Sequence, residues 1–377
     1  MLIQRTVFVC VVCLSTLIAP FVKARPLSTA PVVVSEHLTM GNPSNAVTDA
    51  VNAPNNYLLD KPQYAVSYSR DRGIPNWVSW HLDSTWIGSA ARQNDFRADT
   101  TLPAGWYEAQ GIDYSGSGFD RGQMVASADR TSTVADNSSV FLMTNIMPQA
   151  PDLNQGPWER METTERTWVS QGYEVYIIAG GFGQGGVGSN GSANTITSGH
   201  VVVPSECWRV SLVMPAGSND VSRVTNSTRV IGMIMPNTQG IRADDPANYR
   251  VSVDQIEALT GLDFLSNVPT ATQAAIESKV DSGPLTMPNL TSAASVGISG
   301  RVLGAGRSGL RNVSVSLTGP NGTVRTVLTN AFGYYSFDSV SSGSSYVVNA
   351  RARGLTFSSR LVTLTDNLTS VDIVAQP

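Results

Sequence analysis

Side chains suited to catalysis are concentrated between Phe96 and Arg166. The segment Gly118-Phe119-Asp120-Arg121-Gly122-Gln123-Met124 brings an acid, a guanidinium and an amide within four positions. Asn154, Trp158 and Glu162 follow at spacings i, i+4 and i+8, so a helix places all three on one face. An amide oxygen and a carboxylate on one helical face suit a hydrated hard cation such as Mg²⁺. The stretch therefore predicts a metal site.

The predicted helix begins near Asn154. Asparagine favours the N-cap position because its side-chain oxygen accepts hydrogen bonds from the free N–H groups of the first turn. Pro157 then falls in that first turn, where proline is tolerated because it has no N–H to leave unpaired. Asn154 is therefore expected to lie at the helix start and to face the metal.

Several ordered motifs in this stretch resemble the DNA/RNA non-specific endonuclease family of the ββα-metal superfamily. The motifs are FDRGQM, SADRT, TNIMPQAP and LNQGPWERME, flanked by YAVSYS, PNWVSW, VYIIAGG and VVVPSECWRV. The similarity extends from about Tyr57 to Ser278. It implies an α+β fold with a central antiparallel sheet. It also implies a Mg²⁺-dependent hydrolase, with Mn²⁺ as the alternative metal, that cuts the DNA and RNA backbone without sequence preference.

The resemblance also implies roles for individual residues. Asn154 falls on the family's metal ligand, and Glu162 falls on a carboxylate that supports the water shell of the metal. Arg121 falls on the motif arginine that contacts the phosphate, and Asn145 on an asparagine that helps to build the site. A cation and guanidinium groups together would neutralise the charge that develops on a phosphate under attack.

A second phosphate contact is expected from Arg92 or Arg97, because the stretch ARQNDFRADTTLP fits the family in either alignment. Gln123 stands where the family motif has the histidine that acts as general base. A carboxamide cannot accept the proton that an imidazole takes near neutral pH. Losing a general base costs roughly 10²–10⁴-fold in rate.

Two functions therefore stay open. In the first, the protein is a secreted endonuclease in which Gln123 orients the attacking water. In the second, it is a catalytically impaired module that keeps the site and binds nucleic acid or phosphate. The three histidines of the chain, His37, His81 and His200, lie outside these motifs.

Composition and segment character divide the 377 residues into five parts. Arg5, an apolar run and the small residues before Arg25 predict a signal peptide (1–24), and hence a secreted or periplasmic protein without a membrane span after cleavage. A Ser/Pro-rich mobile leader (25–56), the nuclease-like domain (57–281) and a linker (282–295) are expected to follow. Short alternating strands then predict an all-β sandwich (296–377) that resembles carboxypeptidase-regulatory-like or prealbumin-like modules.

Charge argues against a general polyanion binder. The net charge is −4, and only three of the 25 basic residues are lysines, which excludes a histone-like or polybasic membrane-surface protein. We therefore expect an arginine-lined groove with a bound metal to hold the nucleic-acid backbone locally, with little base readout. The sandwich is expected to contact a surface, a glycan or a protein partner.

Overall fold

The computed structural model describes residues 35–290, 295–319, 322–341, 344–364 and 366–376. The predicted signal peptide (1–24) lies outside these ranges and stays a prediction. Within the described ranges, no helix combines the length and the apolar content that a membrane crossing requires.

An antiparallel sheet of seven strands forms the centre of the first domain. The strands lie in the order β1 (Tyr57–Lys61), β2 (Tyr64–Ser69), β3 (Ile74–Leu82), β6 (Tyr173–Phe182), β11 (Glu206–Pro215), β12 (Arg229–Pro236) and β13 (Arg250–Val251). Short hairpin and loop strands accompany it: β4 (Asp120–Gln123), β5 (Ile146–Gln149), β7 (Gly186–Gly188), β8 (Gly191–Ala193), β9 (Thr195–Ile196) and β10 (Val201–Val202).

Helices cover both faces of this sheet. They are α1 (Val134–Ser139), α2 (Pro151–Leu153), α3 (Glu159–Ser170), α4 (Asp220–Arg223), α5 (Val253–Thr260) and α6 (Thr270–Glu277). Successive side chains of a strand face opposite sides, so Ile177 packs in one core with Trp168 of α3, while Ile178 packs in the other with Ile256 of α5. The α+β prediction with a central antiparallel sheet is confirmed.

A buried ion pair fixes α3 on the sheet. Glu165 accepts a hydrogen bond from Arg209 Nε of β11 at 2.9 Å, and both side chains are almost fully buried. The Arg209 guanidinium also lies about 5 Å from the ring centres of Trp80 and Trp158. Because a charge in the protein interior requires its partner, this pair sets the rotation of α3 and the direction in which its other face points.

Two segments depart from the sequence-based boundaries. The prediction of a mobile leader is wrong for residues 35–56, where His37, Met40 and Ala46 are buried against the sheet. Ser79 of β3 donates a hydrogen bond to the His37 carbonyl at 2.6 Å. The first part of the predicted linker also packs on this domain, since Trp168 Nε1 donates to the Leu285 carbonyl at 2.6 Å. A few apolar residues in each segment are enough to pack it against the first domain.

The C-terminal region is an all-β sandwich with its own core. One sheet has the order β17 (Tyr334–Ser341), β14 (Ser295–Leu303), β20 (Ile373–Val374). The other has the order β16 (Val324–Leu328), β15 (Ser314–Thr318), β18 (Ser345–Arg351), β19 (Arg360–Thr363). Alternate residues such as Val315, Leu317, Phe337 and Val348 face the shared core, as the period-2 pattern predicts.

Candidate active site

The β4–β5 hairpin carries the first half of the candidate site. Arg121 pairs with Pro148 and Gln123 with Ile146, so the two functional side chains stand two residues apart on the same face of β4. Gly122 between them approaches Gln149 so closely that an added Cβ would lie 2.2 Å from Gln149 Oε1. The hairpin therefore presents Arg121 and Gln123 together.

Asn145 supports this hairpin from the protein interior. It is fully buried. Its Oδ1 accepts from the Val125 N–H at 3.0 Å, and its Nδ2 donates to the carbonyls of Val125 and Val140 at 3.0 and 2.8 Å. Gln123 Nε2 donates to the same Val140 carbonyl at 3.0 Å. The Val140 carbonyl thus fixes the side-chain amides of both Asn145 and Gln123. Asn145 acts on the site through its hydrogen bonds to the backbone.

The helix that carries the metal-binding candidates begins earlier than expected and is kinked. Helical backbone starts at Pro151, so the prediction that Asn154 is the N-cap is wrong; Asn154 has helical dihedral angles within the first turn. Gly156 breaks the helix with φ −124° and ψ −118°. An added Cβ at Gly156 would lie 2.8 Å from Arg242 Cα, so glycine permits this close approach. Trp158 turns into the core.

Asn154 and Glu162 nevertheless meet in one cavity across the kink. The cavity encloses about 300 Å³ and is lined by Arg92, Arg121, Gln123, Asn154, Gln155, Glu159 and Glu162. A neighbouring cavity of about 260 Å³ shares Arg92, Arg121 and Asn154 and adds Asp120 and Phe96. The structure therefore brings together the amide, the carboxylate and the guanidinium groups that the sequence selected.

Burial raises the pKa of Glu162 to about 8, and the carboxylates of Asp129 and Glu165 add to the rise. The guanidinium groups of Arg209 and Arg166 oppose it. Among the described residues, the Glu162 carboxylate has no hydrogen bond or salt bridge. A carboxylate without a direct hydrogen bond or salt bridge in this environment gains from a nearby cation, which favours its charged form.

Arg92, not Arg97, faces the cavity. The guanidinium of Arg92 lies 4.9 Å from the ring centre of Phe141, and burial lowers its pKa while the nearby Glu162 charge raises it. Arg97 is turned away: it donates to Asp95 Oδ2 at 2.7 Å and to the Ser138 carbonyl at 2.8 Å. Of the two candidates for the second phosphate contact, Arg92 is therefore the one that lines the cavity.

Sequence reasoning missed two supports of the site, Asp120 and Phe96. Asp120 Oδ2 accepts hydrogen bonds from Asn154 Nδ2 at 2.9 Å and from Gln155 Nε2 at 2.7 Å. The ring of Phe96 lies 4.3 Å below the Arg121 guanidinium and holds it by a cation–π contact. The sequence could have indicated Asp120, because it directly precedes Arg121 in the motif FDRGQM. No comparable sequence pattern indicated Phe96.

No histidine of the described residues lies at the candidate site. All three histidines lie in the described ranges, and none lines either cavity. His37 and His81 are buried at the sheet, and His200 stacks on Tyr107 at 4.1 Å. Burial lowers the pKa of His37 to about 3, with the positive Arg130 adding to the effect. Gln123 itself is buried, and its Oε1 has no partner among the described residues.

Asn154 and Glu162 fit a hard divalent cation. The Nδ2 of Asn154 is committed to Asp120, which leaves Oδ1 as the free atom, and Mg²⁺ prefers such oxygen ligands with several waters retained. Two other acidic groups, His81–Glu174–Asp220 and Asp254–Glu257–Glu277, lie apart from these cavities. Arg223 fills the first by pairing with both of its carboxylates.

Comparison with known proteins identifies the families of both domains. The family model of DNA/RNA non-specific endonucleases matches residues 42–271, and that of the carboxypeptidase regulatory-like domain matches residues 297–376. The resemblance inferred from the motifs is thereby confirmed for both domains.

Individual relatives span most of the first domain. A nuclease of Nostoc sp. (strain PCC 7120) is 47% identical over 68% of this chain and 90% of its own length. Mitochondrial endonuclease G of Homo sapiens is 29% identical over 56% of this chain and 70% of its own length. A crystal structure of EndoG with its inhibitor EndoGI has a TM-score of 0.51 at 23% identity, covering 63% of this chain and 93% of that one. That likeness concerns the fold.

Proposed function

Because the chain belongs to the DNA/RNA non-specific endonuclease family, we propose that it is a metal-dependent endonuclease that hydrolyses phosphodiester bonds of DNA and RNA. The observation that carries the proposal is the shared cavity lined by Arg92, Arg121, Gln123, Asn154 and Glu162. Two guanidinium groups, free amide oxygens and one unpaired carboxylate are the groups that backbone recognition and phosphate chemistry require.

Arg121 and Arg92 bind the phosphate. Phe96 and Phe141 each support one guanidinium from below, so both planar groups are held in place before the substrate arrives. Preorganised donors lose little freedom on binding and stabilise the charge that grows on the phosphate oxygens during attack. No base-reading groups are required for this step, which accounts for cleavage without sequence preference.

Asn154 Oδ1 would bind a divalent metal ion and the Glu162 carboxylate would support its water shell; for this ion we propose Mg²⁺ with Mn²⁺ as the alternative. When bound, the ion supplies positive charge to the phosphate and the leaving oxygen. Glu159 and Gln155 lie on the same cavity wall and can bind the waters that surround the ion. Asp120 keeps the Asn154 carboxamide oriented with its oxygen free.

Gln123 orients the attacking water without removing its proton. Its Nε2 is fixed by the Val140 carbonyl, which leaves Oε1 to accept a hydrogen bond from water in the cavity. The proton must then leave to solvent, so the rate is expected to lie below that of a relative with an imidazole at this position. The alternative function, a nucleic-acid-binding module without hydrolysis, differs only in this step.

Export remains part of the proposal, because Arg5, the apolar run and Ala24 have the pattern of a cleaved signal peptide. The protein would then act in the periplasm or outside the cell.

Plasmid and single-stranded RNA cleavage by the mature protein tests the activity. We expect cleavage with Mg²⁺ or Mn²⁺, none with EDTA, and loss of at least about 100-fold in Asn154→Ala. Asn94→Ala is the matched control, because Asn94 lines the neighbouring cavity without a role in the proposal. A silent wild type that still binds the nucleic acid would establish the binding-module alternative, and unchanged cleavage by Asn154→Ala would overturn the metal assignment.

A further inference from the structure

Positive charge is concentrated in the C-terminal sandwich. Residues 296–377 contain seven arginines, three aspartates and neither lysine nor glutamate, which gives a net charge of +4. Since the whole chain carries −4, the remaining 295 residues carry −8. The module that follows an acidic nuclease domain is therefore cationic.

The topology gathers five of these arginines at one end of the sandwich. Arg351 ends β18 and pairs with Ser314, the first residue of β15, so Arg311 and Arg353 lie just beyond the same strand ends. Arg301 pairs with Tyr334 at the start of β17. The loop between β14 and β15 carries Arg307.

Backbone hydrogen bonds tie this loop to both sheets. Leu310 donates to the Val302 carbonyl at 2.9 Å, and Asn312 donates to the Thr329 carbonyl at 3.0 Å. Because the loop is held against the strand ends of both sheets, the arginines belong to one surface. We call this surface the arginine end; it consists of Arg301, Arg307, Arg311, Arg351 and Arg353.

Most acidic groups of the module lie at the opposite end. Asp338 follows Phe337, which pairs with Ile298 near the start of β14. Asp366 precedes Asn367, whose Oδ1 accepts a hydrogen bond from the Gly297 N–H at 2.6 Å. Asp372 lies by the arginine end, but its Oδ1 is engaged by the Arg301 backbone N–H at 2.9 Å. The module is thus polarised along its length.

Four of the five guanidinium groups of the arginine end are available to a ligand. Arg307, Arg311, Arg351 and Arg353 are exposed. Within the described part of the chain, their side chains form no hydrogen bond and no salt bridge. Unpaired arginines on a firm β scaffold lose little freedom when they bind phosphates, which they match with a planar, bidentate fork.

Two exposed aromatic residues contact Arg301 of the arginine end. Phe332 and Tyr334 are 70% and 51% exposed, although rings of this size are usually covered. The Phe332 carbonyl accepts from Arg301 Nη2 at 3.0 Å, and the Arg301 guanidinium lies 4.7 Å from the Tyr334 ring centre. Aromatic faces next to cationic side chains are the combination that holds unpaired bases and their backbone.

We propose that the arginine end, together with Phe332 and Tyr334, binds single-stranded nucleic acid and so supplies substrate to the acidic nuclease domain. The arginines take the phosphates, and the two rings stack on bases. The role in supplying substrate rests on the proposed function, whereas the binding of nucleic acid by the arginine end does not depend on cleavage.

The test measures binding of a fluorescent 20-nucleotide oligo-dT to the full chain by anisotropy, in EDTA so that the strand is not cut. We expect the variant Arg307→Gln/Arg311→Gln/Arg351→Gln/Arg353→Gln to bind at least about tenfold more weakly. The slope of log affinity against log salt should fall by about 2 to 3, since each lost phosphate contact removes about 0.7 on single strands.

Three further variants separate the contributions. Phe332→Ala/Tyr334→Ala should lose about fivefold or more in affinity with the salt slope unchanged, because stacking is not ionic. Arg325→Gln removes one charge from the opposite end of the module, where Arg325 Nη2 donates to the Asp338 carbonyl at 2.7 Å, and Arg353→Gln removes one charge from the arginine end. The first single variant should bind within about twofold of wild type, and the second should not.

Three results would overturn the proposal: wild-type binding and salt slope in the fourfold arginine variant, equal losses in the two single arginine variants, or capture of phosphatidylserine vesicles in preference to the oligonucleotide. Plasmid cleavage by the same proteins is measured in parallel. If the wild type binds the oligonucleotide but does not cut plasmid, only the proposed enzymatic function is contradicted. If the wild type cuts plasmid and the arginine variants bind the oligonucleotide as tightly as the wild type, only the proposal for the arginine end is contradicted.

Discussion

Asp120 Oδ2 accepts a hydrogen bond from Asn154 Nδ2 at 2.9 Å. The same oxygen accepts from Gln155 Nε2 at 2.7 Å, and Gln155 Oε1 accepts from Arg242 Nη1 at 2.9 Å. Because the Asn154 nitrogen is engaged, its oxygen is the atom left to bind a cation. The acid at the head of the motif therefore determines which end of the carboxamide faces the cavity, as hydrogen-bond partners of metal ligands commonly do.

Asp120→Ala should weaken the response to metal more than it weakens the chemistry. Without the acceptor, the Asn154 carboxamide can rotate, and loss of such an orienting partner costs about 10–100-fold in metal affinity. Plasmid cleavage titrated with Mg²⁺ measures this as a higher half-saturating concentration. Asp60→Ala is the control, since Asp60 is an exposed acid on β1. An unchanged titration curve in Asp120→Ala would contradict the orienting role.

Gln123→His should increase the cleavage rate. The new imidazole can take the proton of the attacking water, and a general base contributes about 10²–10⁴-fold. It should also introduce an acid limb with a midpoint near the ordinary histidine pKa of about 6.5, below which the protonated ring is inactive. Rate against pH for both proteins checks this. Gln155→His places an imidazole elsewhere in the cavity and should not increase the cleavage rate. An increase in Gln155→His but not in Gln123→His would show that the attacking water lies near residue 155.

The main features of the fold were predictable, the first domain from its resemblance to the family and the sandwich from its short alternating strands. The helical spacing of Asn154 and Glu162 placed both on the same side of a helix. The spacing still brought them into one cavity although the helix is kinked at Gly156. At the kink the backbone lies close to Arg242, which is distant in sequence, so local pattern could not predict this approach.

Residues that act through long-range contacts were beyond sequence reasoning. The choice between Arg92 and Arg97 depends on which neighbour each guanidinium meets, Phe141 or Asp95. The docking of residues 35–56 depends on His37 fitting between β3 and the Pro62 carbonyl, which accepts from its Nε2 at 2.9 Å. Such long-range contacts join segments that lie far apart in the sequence, and the composition of one segment does not predict its contact with the other.

Arg92→Gln and Arg97→Gln should separate catalysis from local structure. Arg92 faces the cavity, so its loss removes a phosphate contact and should lower kcat/KM by about 10–100-fold, as charge-assisted contacts of about 1.5–3 kcal/mol suggest. Arg97 forms a half-exposed pair with Asp95, so its loss should leave kcat/KM within about twofold and cost at most about 1 kcal/mol of stability. Steady-state kinetics on a short single-stranded substrate measures both. The reverse ranking would reassign the second phosphate contact to Arg97.

The first domain should lose stability as the pH rises through about 8. Burial raises the pKa of Glu277 to about 8, and the charges of Glu257, Asp254 and Asp263 add to the rise, while the Gln273 amide opposes it. The folded state thus holds this proton more tightly than the unfolded chain, whose glutamate titrates at about 4.5. Its stabilising contribution is complete below about pH 4.5 and is lost progressively as the pH rises to 8 and above.

Glu277→Gln should remove part of this decline. The amide is neutral at every pH, so the variant should gain about 1–2 kcal/mol relative to wild type between pH 5 and pH 9. Urea unfolding in EDTA followed by tryptophan fluorescence measures it, and all seven tryptophans lie between residues 77 and 208, so the signal reports the first domain alone. Asp60→Asn, which removes an exposed acid, should parallel wild type. Identical pH dependence in Glu277→Gln and wild type would show that Glu277 ionises with no cost in the folded protein.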